Sequence, residues 1–302
     1  MPFFRNLRVY RLNQWPAPDD ATLAEQLEAQ ALKPCGRLEP ASIGWTSPYG
    51  RDDERLAHTA NGCHLLRFGV NERVLPTAVL KEAVAERASA FRERTGSKPN
   101  RRQQVTLRDE VMMELLPQAF IKPAHTDCYL DPKGEWLVVD AASAKRADEI
   151  ATLLRQSIDG TRLTVIDAAN RIQTHLTHWL SQGQCPDELA FSDECDLRDD
   201  EDARSTVKCR HQDLETQEVR QHIDAGKRVV KLGLCWNERL SFSVSEDFAL
   251  TRVRPEDILS EQFEDLPADD DLQRMDAEFV FMTLEYRALL NSLETALELD
   301  SE

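Results

Sequence analysis

The chain has 302 residues, 41% apolar, 30% charged and 7% aromatic, which is enough apolar surface for a buried core and excludes a disordered composition. No apolar run approaches the roughly 18 residues of a membrane span, and the opening MPFFRNLRVYRLNQW lacks a signal peptide's continuous apolar region. Seven cysteines, an odd number with no CxxC pair, read as reduced thiols of a cytoplasmic protein and not as a disulfide framework.

The formal charge of −17 argues at first sight against a nucleic-acid partner. It is unevenly spread. Residues 256–302 hold 15 acidic and 2 basic side chains, and 187–202 hold 9 acidic and one basic. Residues 81–122 carry 9 basic against 6 acidic, and 204–239 carry 8 against 5. Binding follows the local field and not the sum, so a negative chain can still present a positive face.

The chain order predicts a mixed α+β protein with largely antiparallel sheets, flanking helices and a long C-terminal helix. Three regions are expected: an α/β region at 1–75, a central region at 76–186 and a C-terminal region at 187–302. An extended stretch around Phe4 to Leu12 precedes a helix near Asp19–Leu32, where Thr22 and Glu25 have capping-box spacing. A turn-rich stretch around Trp45 follows, then a strand at 64–70, with Asn61-Gly62 as a turn signal. Pro76 opens a helix to about Arg94, and Gly96, Pro99 and Asn100 break it. A second helix is expected from Thr106 to Leu116, and Pro117 and Pro123 bracket the exposed-looking QAFIK. Strands at 126–130 and 136–140, a helix at 144–158 and one at 172–180 complete the middle. The acidic 187–202 stretch reads as an exposed connection or an edge. Strands near 207, 229–236, 240–244 and 248–253 flank a helix at 216–225. Met275, Phe279, Met282, Tyr286, Leu289, Leu293 and Ala296 then repeat at 4-3 spacing, a seam for packing on the chain's own sheet or for pairing two copies.

Chemistry is hard to find. His175 and His178 share a helix face as HxxH but lack further ligands and an activating acid, so they read as surface histidines as well as a metal pair. Cys209-Arg210-His211 fits an activated thiolate or a buried strand cysteine, and His58, Cys63 and His64 have no third orienting group. There is no GxSxG, GxGxxG or Walker-type loop. No catalytic residue, metal or cofactor is expected.

Basic residues give the stronger pattern. On the helix after Pro76, Lys81 and Arg92 fall within about 20° of each other, about 16 Å apart along the axis, and Arg87 and Arg94 share the other flank of the stripe Leu80, Val84, Phe91. Lys98, Arg101 and Arg102 carry the charge into the following loop. Such cations can track phosphates along a duplex, or form a solvated helix face that Glu82, Glu86 and Glu93 partly neutralise. Lys227, Arg228 and Lys231 form a second cluster with the same two readings. Neither is interleaved with aromatics, so a single-strand stacking platform is not indicated.

Several segments together resemble the RdgC family: FFRNLRVYRL, LKPCG followed by IGW, HTANGCHLLRFGVNERVLPTAVLKEA, RDEVMMELLPQAF, WLVVDAASAKRADEIATLLR, KCRHQDLETQEVRQHIDAGKRVVKLGLCW and MDAEFVFMTLEYRALL. They cover nearly the whole chain in one order. The resemblance implies a nucleoid-associated, cytoplasmic homodimer whose subunits form a ring around duplex DNA, with single-stranded DNA as a further substrate. It also implies binding without sequence preference and restraint of the RecA recombinase. Acidic segments would then face outward and basic ones inward. The resemblance places Phe120 of LLPQAF at one subunit contact, and His211 and Gln212 near a second. His211 stands where the family carries lysine, so a lysine-dependent contact is expected to be weaker or pH-sensitive here. A rival reading is an acidic inhibitor that occupies a recombinase's DNA site without binding DNA itself.

Overall fold

The computed structural model describes residues 3–50 and 52–299. In chain order the elements are β1 (Asn6–Gln14), α1 (Asp20–Glu28), β2 (Ala41–Thr46), β3 (Ala57–Ala60), β4 (Cys63–Val74), α2 (Thr77–Thr95), α3 (Arg101–Leu115) and β5 (Phe120–Asp131). They continue as β6 (Trp136–Asp140), α4 (Ala144–Ser157), β7 (Arg162–Val165), α5 (Ala169–Gln182), β8 (Leu189–Asp199), β9 (Thr206–Arg210), α6 (Gln217–Asp224) and β10 (Lys227–Trp236). The last are β11 (Leu240–Ser245), β12 (Leu250–Pro255), α7 (Asp257–Glu264) and α8 (Asp271–Ala296). The chain is thus α+β, and the strand pairs with a stated register are all antiparallel.

Two compact units interleave along the sequence. The larger holds residues 3–20, 57–65 and 127–299; the smaller holds 21–50, 52–56 and 66–126. The chain passes from one to the other within β4 and within β5, so neither unit is a consecutive run of the sequence.

In the larger unit the sheet runs β5-β6-β1-β12-β11-β10-β8-β9, with β7 beside the far end of β1. At the β6–β1 end both faces are covered. Trp136, Leu137, Val138 and Val139 are consecutive and all buried, because the face that α8 leaves bare is taken by Ile150 and Leu154 of α4. At the β12–β9 end only one face is covered, by α5, α6 and α8. Phe242 and Val244 of β11, Leu232 and Leu234 of β10 and Cys195 and Leu197 of β8 point into that core. The alternate residues face away from it.

The C-terminal seam packs on its own sheet: Phe279, Met282, Tyr286, Leu289 and Leu293 are all buried, and the Tyr286 hydroxyl donates to the Phe4 carbonyl at 2.6 Å. Asn61 and Gly62, both at positive φ (50° and 76°), make the two-residue β3–β4 turn, whose geometry follows the twist of the strands. Beyond it His64 is buried beside the Trp15 ring, with Thr59 Oγ1 3.0 Å from its Nδ1. Burial lowers its pKa below the ordinary 6.5. The unfolded chain therefore takes up this proton first, and the stability His64 contributes is present above pH 6.5 and lost as the pH falls through the window below it. We expect the urea midpoint to fall on going from about pH 7.5 to about 5.5, and His64→Gln to flatten part of that fall. An equal fall in the variant would reject His64 as its origin.

The acidic 187–202 stretch corrects the expectation of a connection or edge. Most of it is β8, an inner strand paired with β10 on one side and β9 on the other. Its carboxylates are tolerated because the neighbouring strands place cations opposite them, as Asp196 across from both Lys208 and Lys231. Two further corrections concern unanticipated elements. Trp45 lies in β2 and not in a loop, and α7 was not foreseen.

Candidate nucleic-acid interface

In the smaller unit, α2 and α3 form a helical hairpin. Pro76 precedes α2, and Gly96, left-handed at φ 71°, ends it by donating to the Arg92 carbonyl. Asn100, expected to break the helix, instead caps the next one. Its side chain accepts from the Gln103 N–H while the Gln103 side chain accepts from the Asn100 N–H, both at 2.9 Å. Arg101 and Arg102 are therefore the first turn of α3 and not a loop, and Lys98 alone lies between the helices. Cations at a helix N-terminus add to the positive end of its dipole, an arrangement that raises affinity for an anion and costs some helix stability.

A groove of about 520 Å³ runs between the two helices. Leu80, Val84 and Val105 form apolar parts of its lining, and Lys81, Arg101 and Arg108 supply charge; no carboxylate lines it. The fold thus brings together Lys81 and Arg101, twenty residues apart. It adds Arg108, which the sequence reading missed although it stands seven residues, two helical turns, after Arg101. Arg92, Arg94 and Lys98 are exposed outside this groove, Arg94 leaning towards the Phe91 ring. Arg87 pairs with Glu114 of α3 at 2.5 Å, which ties the helices together and spends its charge locally.

Lys227 and Arg228 lie in the other unit, on β10. The Lys227 ammonium is largely buried, 2.6 Å from Ser205 Oγ and 3.5 Å from Asp199, and Arg228 meets Asp200 at 3.1 Å. The same unit has a charged surface that the sequence did not announce, the open face of the sheet. One row across it reads Lys208, Asp196, Lys231, Ser245, each opposite the next. Beside it Arg210 lies opposite Glu194 and Gly233 opposite Ser243, and Arg252 of β12 donates to the Glu194 carboxylate. Arg254 lies exposed further along β12. The signal available in the sequence was the alternation of charged and apolar residues in strands 8, 9, 10 and 12, but not which strands are neighbours.

Phe120 opens β5 and is 87% exposed, just after the 3₁₀ turn Leu116–Gln118. Arg73 of β4 positions that turn by donating to the carbonyls of Leu116 and Ala119, at 3.1 and 3.2 Å, and to that of Gly36. The same unit exposes Val79, Val105, Met113 and Ile121, each 46% or more. His211 and Gln212 follow β9 in the larger unit. His211, at φ 52°, is almost fully exposed with its Nδ1 2.8 Å from Asp193 Oδ2, and the Gln212 amide nitrogen donates to the Glu218 carboxylate at 3.4 Å.

The candidates for chemistry separate in space or in state. His175 lies 3.8 Å from Glu298, His178 is exposed, and among the described residues no group of three or more His, Cys, Asp or Glu is placed to share a metal ion. Cys209 is buried opposite Cys195, whose thiol is pushed up by burial. Cys63 is pushed up to about 11 by burial, so it stays a protonated thiol at neutral pH. His58 packs on Phe279 with its Nε2 3.1 Å from Asp276.

The family model described as "Putative exonuclease, RdgC" matches residues 2–300. The chain belongs to the RdgC family. Recombination-associated protein RdgC of Psychromonas ingrahamii is 34% identical over 294 residues, covering 97% of each chain. The proteins of that name from Yersinia enterocolitica and Yersinia pestis are 36% and 35% identical over 297 residues, covering 98% of each chain. The RdgC family description carries the word exonuclease, whereas these relatives' names give recombination and no reaction. No helix among the described residues is long and apolar enough to cross a membrane.

Proposed function

We propose that this RdgC family member binds DNA through backbone phosphates, without sequence preference and without catalysis, as a homodimer whose two copies close around the duplex and so restrain RecA-dependent recombination. One observation carries the reading: in a chain of net charge −17, the α2–α3 groove gathers Lys81, Arg101 and Arg108 with no carboxylate in its lining. Field lines converge in such a groove, and the acidic segments repel DNA. Arg92, Arg94, Lys98 and Arg102 lie on the same hairpin, while Arg87, Lys227 and Arg228 are already paired within the chain. Copy-to-copy contact is assigned to the exposed apolar surface at Phe120 and to the polar corner at His211 and Gln212. The recombination-associated name of the relatives is consistent with a DNA partner.

The test is a salt titration of binding to a labelled random-sequence duplex. If about six phosphates are neutralised, log affinity falls with log salt at a slope of roughly −5. Lys81→Glu/Arg101→Glu should weaken binding by about 100-fold near 0.1 M salt and make the slope shallower by about two. The duplex should stay full length in the presence of divalent ions. No binding at low salt would instead favour an acidic surface, residues 256–302, that occupies a recombinase directly.

A further inference from the structure

We propose that Glu194 is an internal stand-in for a phosphate on the open sheet face, occupying donors of Arg210 and Arg252 and so setting how tightly that face binds a polyanion. This rests on the DNA-binding reading above.

The carboxylate is built in with unusual care for a strand residue. Glu194 belongs to β8 and is 5% exposed, although it points away from the apolar core. It accepts from the Ser243 hydroxyl of β11 and from Arg252 of β12, meets Arg210 of β9 at 3.3 Å and lies 3.7 Å from Lys231 of β10. One side chain thus reaches across five adjacent strands. It can do so because residue 233, on the strand between, is glycine: a Cβ there would stand 3.0 Å from Glu194 Cγ and 3.0 Å from its carbonyl oxygen. The β8–β10 register shifts at this point, and the β11–β12 register shifts beside Arg252. Such bulges re-aim side chains.

Arg252 itself sits at φ 58°, in the left-handed region that a β-carbon disfavours. Such a backbone persists only where the surroundings over-determine it. Here the β11–β12 register shift and the Val253 N–H, which donates to the Arg5 carbonyl at 2.9 Å, flank that backbone, and Glu194 takes the side chain. Three cations, Arg210, Lys231 and Arg252, and the Ser243 hydroxyl therefore converge on one oxygen pair, as donors converge on a bound phosphate. Arg210 keeps a second partner in Asp196 at 2.7 Å, and Arg254 adds exposed charge along β12. With Glu194 neutral, Arg252 and Arg210 regain free donors on a face where they flank Ser243 and Lys231.

The experiment compares duplex binding by the full chain, wild type against Glu194→Gln, across salt concentration, with Glu201→Gln as a control that removes one exposed charge from the same unit. A freed arginine that takes a phosphate adds roughly eightfold to affinity near 0.1 M salt. Glu194→Gln should therefore bind about tenfold more tightly or better, with a slope steeper by about one to two. Arg252→Gln added to it should abolish most of that gain. A gain no larger than that of Glu201→Gln, or a loss of affinity, overturns the proposal. Should Glu194→Gln fail to fold, Glu194→Asp decides: it keeps the charge but is too short to span Gly233, so Arg252 is released and affinity rises, and no rise overturns the proposal. Binding that is lost in Lys81→Glu/Arg101→Glu yet indifferent to Glu194 sinks this inference alone. Absence of duplex binding by both wild type and Glu194→Gln sinks the DNA reading with it.

Discussion

Arg287→Met should destabilise the larger unit by about 3–5 kcal/mol, an expected loss of about 6–20 °C in melting temperature for a unit of this size. Arg287 projects from the middle of α8 and donates through Nε and Nη2 to both oxygens of Asp131, at 2.6 and 2.7 Å. Asp131 is 1% exposed and also accepts the Gly134 N–H at 3.0 Å, closing the turn between β5 and β6. A planar guanidinium matches a carboxylate in this two-bond geometry, and a lysine would not. Removing the cation leaves a charge buried with one hydrogen bond, which is far more costly than never having placed the pair there. Asp131→Asn should therefore rescue part of the loss in the Arg287→Met background. Thermal melts of the single and double variants check this; additive losses would show that the two side chains are not coupled.

Phe120→Asp should weaken self-association by about 30-fold or more while leaving the melting temperature nearly unchanged. The ring is 87% exposed, so its removal costs the folded chain little; surface substitutions of this kind stay within about 0.5 kcal/mol. Its position is nonetheless held: Arg73 fixes the carbonyls at both ends of the turn that leads into it. A rigidly presented aromatic is what fills a partner's pocket, and truncating such an anchor typically costs 2 kcal/mol or more, about 30-fold. Sedimentation across a concentration series would read the effect. An unchanged dimer constant, or a wild-type chain that is monomeric at every concentration, would remove Phe120 from the proposed contact. If the dimer encircles DNA, the same variant should also bind duplex less tightly, because one of the two copies' contacts no longer closes.

Much of the architecture is written in local pattern. The α8 seam at 4-3 spacing, the alternation in 240–244 and the caps around α2 are consequences of backbone period and side-chain chemistry within a few residues. Helix α3 begins five residues before the Thr106 that periodicity suggests, because Asn100, which ends one helix, is also a good N-cap for the next. Composition was enough to separate acidic from basic segments. The sequence holds no GxSxG, GxGxxG or Walker-type loop.

Charge along a sequence does not say which charges meet. Lys81, Arg101 and Arg108 become one groove only because α2 and α3 fold back on each other, whereas Lys227 and Arg228, as promising in the sequence, are met by Asp199, Asp200 and Ser205. The acidic run at 187–202 reads as solvent-facing until β9 and β10 are seen to bring Arg210, Lys208 and Lys231 to either side of it. The division follows from range. Periodicity, capping and turn chemistry act over one to four residues and are legible in order along the chain. Neutralisation of a charge, burial of an acid such as Glu194, and the grouping of cations into a binding surface depend on which strands lie side by side, and that is settled only when the whole sheet forms.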